Sequence, residues 1–387
     1  MRKYLELLRV PGILRVTASQ LVARFPLGML SLAILLHVEE SVGSYAVAGA
    51  VVACVSIGEA VTVPLTSRLV GVFGVRPTLL AAATIHAAAL LVLTTISATE
   101  WLLLFLGLLV GASVPPVMPA IRALYPRLVP RPIVSALFAL DTTAQELIWI
   151  VGPVVATLLA AAFSTTVPLY LAAVITIGGI IWFVSTPRLS EIRIERSSSR
   201  FGRVLLSRSV GLAMFASFAL VASFMALEIG VVSQFDGEGI VAGAAIAVSA
   251  LGSLVGGVLF GHRHIRLRGL VAALSVVAIG TGLAGAVPGL ILLCLALFVS
   301  GLGFAPALAA LYFMVSNIVD ERAATEAFGW LNTAALVGAA AGTAVAGVMG
   351  DAFGPGGAYA AATVLAVAAA ASPAVMRLTG PIKGMSG

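Results

Sequence analysis

Charge is scarce in this chain. Asp, Glu, Lys and Arg make up only 10% of its 387 residues, against about 25% in a soluble domain, so it cannot build an ordinary water-facing surface. Cysteine is nearly absent too. Cys54 and Cys294 both fall inside apolar runs, which excludes a disulfide framework and leaves no zinc-ligand spacing. The Gly-Lys-Ser/Thr, GxSxG and HExxH patterns are missing, and His262 and His264 lack acidic neighbours. The chain therefore reads as neither an enzyme nor an ATP-driven machine, and no cofactor or metal is expected.

Hydrophobicity is what the chain has. Apolar residues make up 60% of it, and the mean hydropathy is +1.13. A helix crossing the hydrocarbon layer needs about 20 apolar residues. Such runs fall at approximately 13–37, 45–66, 77–97, 101–122, 133–160, 166–186, 210–234, 239–261, 269–286, 289–316, 325–349 and 356–376. The expected fold class is an all-α polytopic membrane protein with 12 transmembrane helices. The opening MRKYLELLRVPGILR is basic, but Arg24 interrupts the first run, which is too long for a signal-peptide core and reads as an uncleaved helix.

Loop charge gives the expected orientation, because Lys and Arg in short loops stay in the cytoplasm. The odd-numbered connections hold Glu39, Glu40, Glu100, Asp236, Glu238 and Asp351, and neither Lys nor Arg. The even-numbered ones carry Arg68 and Arg76, then Arg122, Arg127 and Arg131, then Arg263, Arg266 and Arg268. Both termini are thus expected in the cytoplasm, with the protein in a bacterial cytoplasmic membrane. The net charge of +6 comes from these membrane-flanking loops, so no nucleic-acid partner is expected.

The longest polar stretch, TPRLSEIRIERSSSRFGRVLLSRS, carries Arg188, Arg193, Arg196, Arg200, Arg203 and Arg208 beside Glu191 and Glu195. It divides the chain into an N-terminal six-helix bundle (1–186), a cytoplasmic linker (187–208) and a C-terminal six-helix bundle (209–387). The stretch reads as a solvated linker or as an amphipathic helix on anionic lipid. A shift of 190 positions supports the division: Gly111, Pro116, Val129, Phe138, Thr143 and Gly152 meet Gly301, Pro306, Val319, Phe328, Thr333 and Gly342. The same shift pairs Leu69, Gly71 and Arg76 with Leu259, Gly261 and Arg266. Parallel six-helix repeats with a mid-membrane site between them are an architecture of secondary transporters.

These features together resemble the major facilitator superfamily over essentially the whole chain. The family's loop between its second and third helices corresponds to SRLVGVFGVRP, where Leu69, Gly74 and Arg76 agree. Gly71, Val72 and Ser67 depart from its Asp, first basic residue and leading Gly, so the resemblance implies a weakened latch there. The Gly-Pro of the family's drug and metabolite antiporters is present as Gly152 and Pro153, and an ordinary kink is the other reading of that pair. Gly107 stands where those antiporters carry an arginine. The likeness is to small bacterial efflux permeases, and it implies gating roles for Gly74, Arg76, Gly152 and Pro153.

Four charges lie inside apolar runs: Arg24, Glu59, Asp141 and Glu146. At the 190-residue shift they face Met214, Ser249, Leu331 and Leu336. A charge at the bilayer centre costs roughly 2.5–3.5 kcal/mol on insertion scales, so these four are the proton-coupling candidates. Thr17, Gln20 and Arg24 form one helical stripe, and Phe138, Asp141, Gln145 and Trp149 another. Arg24 is expected to pair with Asp141 or Glu59, one carboxylate exchanging its proton; a static ion pair is the competing reading. Glu146 is turned about 140° from Asp141 on its helix. Substrate-cavity candidates are Thr17, Gln20, Gln145 and Trp149 on one wall, and Met214, Trp330 and Asn332 on the other. His86 is expected to pack in a peripheral helix, and Glu228 to be wet. The expected activity is proton-coupled efflux of a small amphipathic compound by a monomer through alternating access. A sugar or metabolite permease is the alternative within the class, and a non-transporting membrane sensor or assembly partner the alternative outside it.

Overall fold

The structure, a computed structural model, describes residues 2–95, 99–187, 189, 201–235, 238–260 and 267–378. Arg188, Glu191, Arg193, Glu195, Arg196 and Arg200 of the linker lie outside the described residues, as do Asp236, Gly261, His262, Arg263, His264 and Arg266.

Each apolar run becomes one span, and the described residues contain 12 helices long and apolar enough to cross a membrane. A short α1 (Arg2–Leu8) precedes the first span, α2 (Ile13–Val42). The next two spans are α3 (Tyr45–Phe73) and α4 (Val75–Thr95). The fourth is broken into α5 (Glu100–Ala112) and α6 (Val117–Leu128), because Pro115 and Pro116 supply no backbone N–H at the joint. The fifth and sixth are α7 (Arg131–Ala162) and α8 (Val167–Val184). After a 3-10 turn at Arg203–Leu206, the second half runs α9 (Arg208–Gln234), α10 (Gly239–Phe260) and α11 (Leu267–Ala284). It ends with α12 (Leu290–Ile318), α13 (Ala324–Phe353) and α14 (Pro355–Leu378).

Lipid tails are as apolar as leucine, so these helices hold together by close backbone approach rather than by hiding oil from water. Gly107 and Gly111 of α5 press against Val51 and Val55 of α3, where an added Cβ would strike their carbonyl oxygens. The second half repeats this contact, with Gly301 of α12 against Ser249 of α10. The glycine keeps the 190-residue offset seen in the sequence, whereas its partner in α10 stands four residues beyond it, the 190-residue counterpart of Val55 being Ala245. Gly28 of α2 and Gly152 of α7 meet backbone to backbone, and α7 remains helical through Pro153. Gly74, with φ 97°, makes the tight α3–α4 turn in a region that glycine enters without a Cβ penalty.

The ends of the bundle differ. At one lie Arg68, Arg76, Arg127, Arg131, Arg208 and Arg268; at the other lie Glu39, Glu40, Glu100, Glu238 and Asp351. Toward the basic end a single apolar core draws on both halves, from Leu7 and Phe138 to Leu274 and Phe328. Toward the acidic end the core is two separate clusters. One lies wholly in the first half, around Ile34, Val51 and Leu90, and the other wholly in the second, around Leu227, Leu293 and Tyr359. The halves are thus fused at the basic end and independently packed at the acidic end.

Candidate functional site

Residues four apart on a helix share a face. That spacing aims Gln20 and Arg24 of α2 at Asp141 and Gln145 of α7. Arg24 Nη1 donates to Asp141 Oδ1 at 2.5 Å and to Gln20 Oε1 at 2.8 Å, while its Nη2 donates to Gln145 Oε1 at 2.5 Å. Gln20 Nε2 donates to Asp141 Oδ1 at 3.3 Å. Of the two partners expected for Arg24, the structure selects Asp141.

A second arginine completes the network. Arg122 Nε donates to Asp141 Oδ2 at 2.9 Å, and its Nη2 to Gln145 Oε1 at 3.0 Å. Its guanidinium lies 3.7 Å from the Tyr312 ring centroid, a cation–π contact worth about 2 kcal/mol or more when desolvated. Arg24, Arg122 and Asp141 are each 2% exposed or less. In sequence, Arg122 stands with Arg127 and Arg131 among the basic residues of an even-numbered connection. The fourth span instead continues past its proline break to Leu128, which draws Arg122 into the bundle. The apolar Ile121, Leu124, Tyr125 and Leu128 around it are the signal that could have found it.

Tyr312 is the residue 190 positions after Arg122, and Phe328 stands in the same relation to Phe138. The rings of Phe138 and Phe328 are 6.1 Å apart. Equivalent positions touch one another, so the pseudo-two-fold axis passes through this point and the network lies on it.

Glu59 lies apart from the arginines' hydrogen bonds. Its carboxyl meets the Asn332 side chain of α13, next to the Thr333 hydroxyl that donates to the Ala60 carbonyl at 2.7 Å. Arg24, Glu59, His86 and Asn332 line one small cavity, with Pro115 and Pro116 of the break in its wall. Its volume of about 20 Å³ admits a water molecule and no cargo. His86, expected only to pack, is buried beside it, with Nδ1 2.9 Å from the Val110 carbonyl. Glu146 faces away from Asp141, as its helical phase required, toward Ser253 of α10 and Glu228 of α9. Glu228 is partly buried.

The other cavity candidates divide. Asn332 meets Glu59, and Gln20 and Gln145 belong to the network. Thr17 is half-buried, and Trp149 is 51% exposed on the same stripe of α7. Met214 packs against the shared core. Trp330 stacks at 5.8 Å on Phe201, at the foot of the bundle.

That foot is a closure made of cross-half contacts. Glu326 of α13, only 3% exposed, accepts from Arg68 Nη1 of α3 at 3.1 Å and from the Gly202 N–H at 2.7 Å. Arg68 also lies 5.7 Å from the Phe201 ring centroid. Gly329 of α13 sits against Ser67 and Pro64 of α3, and Arg127 pairs with Glu321. From below, the Tyr4 hydroxyl of α1 donates to the Gly257 carbonyl of α10 at 2.8 Å. Burial pushes that hydroxyl up to about 12, so it stays a donor at neutral pH. The loop after α3 carries little of this closure; Arg76 is exposed.

Solved structures share this architecture. A bacterial homologue of the iron transporter ferroportin, in an outward-facing state, superposes with TM-score 0.76 and 13% identity over 94% of this chain and 98% of its own. The E. coli fucose:proton symporter FucP gives 0.75 and 13%, covering 96% and 99%. The human organic anion transporter MFSD10 gives 0.72 and 16%, covering 94% and 99%. No curated protein sequence matches the chain. The sequence pattern of the Major Facilitator Superfamily matches residues 16–263. With that match, and with two six-helix halves meeting around a buried polar centre, the chain belongs to the major facilitator superfamily, whose members are transporters rather than enzymes.

Proposed function

We propose that the chain is a proton-coupled exporter of a small amphipathic compound, working by alternating access in a cytoplasmic membrane with its basic end inside. The basic end is closed and the halves part toward the acidic end, which makes this the outward-facing arrangement under that orientation.

The observation that carries the proposal is the different company of the two central carboxylates. Asp141 is held by two guanidiniums and an amide. Such a group is a pivot for helix packing, because stripping either arginine from it strands a buried charge. Glu59 has a neutral amide partner and shares a water-sized cavity with Arg24 and His86. A carboxyl without a bound cation, at the seam between the halves, is the group able to trade its proton as that seam opens. The charges also balance: Arg24 and Arg122 offset Asp141 and an ionised Glu59. Protonating Glu59 leaves one positive charge in excess, which would expel a cationic amphipath and favour exchange of that cargo for a proton. Glu59 is therefore the coupling residue among the four candidates, with Arg24 and Asp141 positioning it and Glu146 belonging to the α7–α9–α10 seam.

In proteoliposomes, Glu59→Gln should abolish pH-gradient-driven transport of an amphipathic cation while leaving gradient-free exchange within about threefold of the parent. Unchanged proton coupling in Glu59→Gln would sink the assignment. Accumulation of a sugar with inward proton flow would favour the symport reading that FucP exemplifies. Protein that folds yet moves none of these compounds would favour the sensor or assembly role.

A further inference from the structure

The two halves differ on their flanks as well as at the centre. In the second half, Gly280 of α11 lies against the backbone of Ser300, and Gly303 of α12 against Ala273 and Val277. Glycines at both contacts bring α11 onto α12. The matching positions in the first half are Leu90 and Ser113, and a groove of about 480 Å³ runs between α3, α4 and α5. Its walls include Leu69, Phe73, Ala81, Ile85, Leu109 and Ala112. Side-chain size keeps it open, for the second half carries Val271 and Leu302 opposite Ala81 and Ala112. Leu69, Phe73 and Ile85 are 42%, 67% and 53% exposed, and α4 packs on α3, α5 and α8 of its own half. The groove therefore opens sideways, onto the bilayer.

We propose that this groove is a binding site for one anionic phospholipid of the surrounding membrane, with an acyl chain between α3, α4 and α5. Charge complementarity at its basic end supports that occupant. Arg76 stands in the first turn of α4, exposed, with no ion pair or hydrogen bond among the described residues. The N-terminus of α4 adds its partial positive charge. Two residues on, Thr78 lines the groove. The groove gives the acyl chain its place, while Arg76 selects the headgroup. Arg76, to which the family resemblance gives a gating role in a weakened latch, serves on this proposal to hold a lipid headgroup.

The test is native mass spectrometry of the purified full-length protein with phosphatidylglycerol and phosphatidylcholine of identical chains. The parent should retain one phosphatidylglycerol about fivefold more strongly than phosphatidylcholine, the effect of roughly one basic residue at a membrane surface. Arg76→Gln should erase the preference and leave lipid bound. Ala81→Trp should remove bound lipid of both kinds at an unchanged thermal midpoint. If Ala81→Trp does not yield folded protein, Ala112→Leu serves, because Leu302 already occupies the matching place in the second half. Equal retention of both lipids by the parent, or undiminished lipid in a folded filled-groove variant, overturns the proposal. So does displacement of the lipid by tetraphenylphosphonium, which would assign the groove to cargo.

Discussion

The first half of this molecule keeps its charge in the middle, and the second half answers it with shape. Arg24, Arg122 and Asp141 of the first half correspond at the repeat offset to Met214, Tyr312 and Leu331. The duplicated helices and glycines such as Gly111 and Gly301 are shared; the polar centre is not. The difference teaches that the backbone repeat supplies the hinge, while a few substitutions at its axis supply the chemistry. Tyr312 shows how closely the two are fitted, since its ring covers the arginine at its own repeat position.

The most severe way to break that comparison is to make the first half resemble the second. Asp141→Leu alone leaves two buried guanidiniums facing each other and should cost about 3–5 kcal/mol, as for other buried pairs missing one partner. Thermal unfolding in detergent reads this loss. Adding Arg24→Met and Arg122→Tyr, the residues the second half uses, should return stability to within about 2 kcal/mol of the parent, because well-packed apolar replacements of buried ion groups are often neutral. Transport should stay absent. A triple variant less stable than Asp141→Leu would show that the network is not interchangeable with packing.

Much of this was legible in the sequence, and the rest failed for physical reasons. Apolar runs of membrane length have few alternative fates, so the spans were readable. The 190-residue offset survived because glycines such as Gly111 and Gly301 cannot gain a Cβ without striking a neighbouring backbone. Helical phase put Arg24 and Asp141 on inward stripes and turned Glu146 away. Phase alone could not choose between Asp141 and Glu59 as partner, since that depends on which helices touch. Arg122 was missed because loop-charge reasoning treats an arginine at a run's end as solvated, and the run had only paused at Pro115 and Pro116. Trp330 has meaning only beside Phe201, a linker residue that no helical pattern brings near it.

At the basic end the halves are complementary rather than alike: the first half supplies Arg68 and Arg127, and the second supplies Glu326 and Glu321. Glu326 is almost fully buried and also receives the linker's Gly202 N–H. Hydrogen bonds to a charged group contribute about 1.5–3 kcal/mol each. Glu326→Gln should therefore shift the closed-to-open balance of this end by about 10- to 150-fold, read as faster alkylation of Ser67→Cys after Cys54 and Cys294 are replaced by serine. Exchanging the charges, Arg68→Glu with Glu326→Arg, should restore only part of the protection, because the Gly202 N–H loses its acceptor. Full restoration would remove the linker from the closure.

The smallest effect sharpens the same contrast within the closure itself. Arg127 and Glu321 also bridge the halves, but the Glu321 side chain is 66% exposed. Water and salt compete for both partners there, and exposed pairs typically contribute about 0.2–1 kcal/mol. Glu321→Gln should thus change the alkylation rate of Ser67→Cys by less than about fivefold, and raising the salt to roughly 1 M, where the Debye length is about 3 Å, should erase even that. The buried Glu326 contact should keep most of its effect in the same salt. If the two glutamates respond equally, burial is not what sets their strength, and the closure depends on the summed charge of the two faces rather than on one shielded clasp.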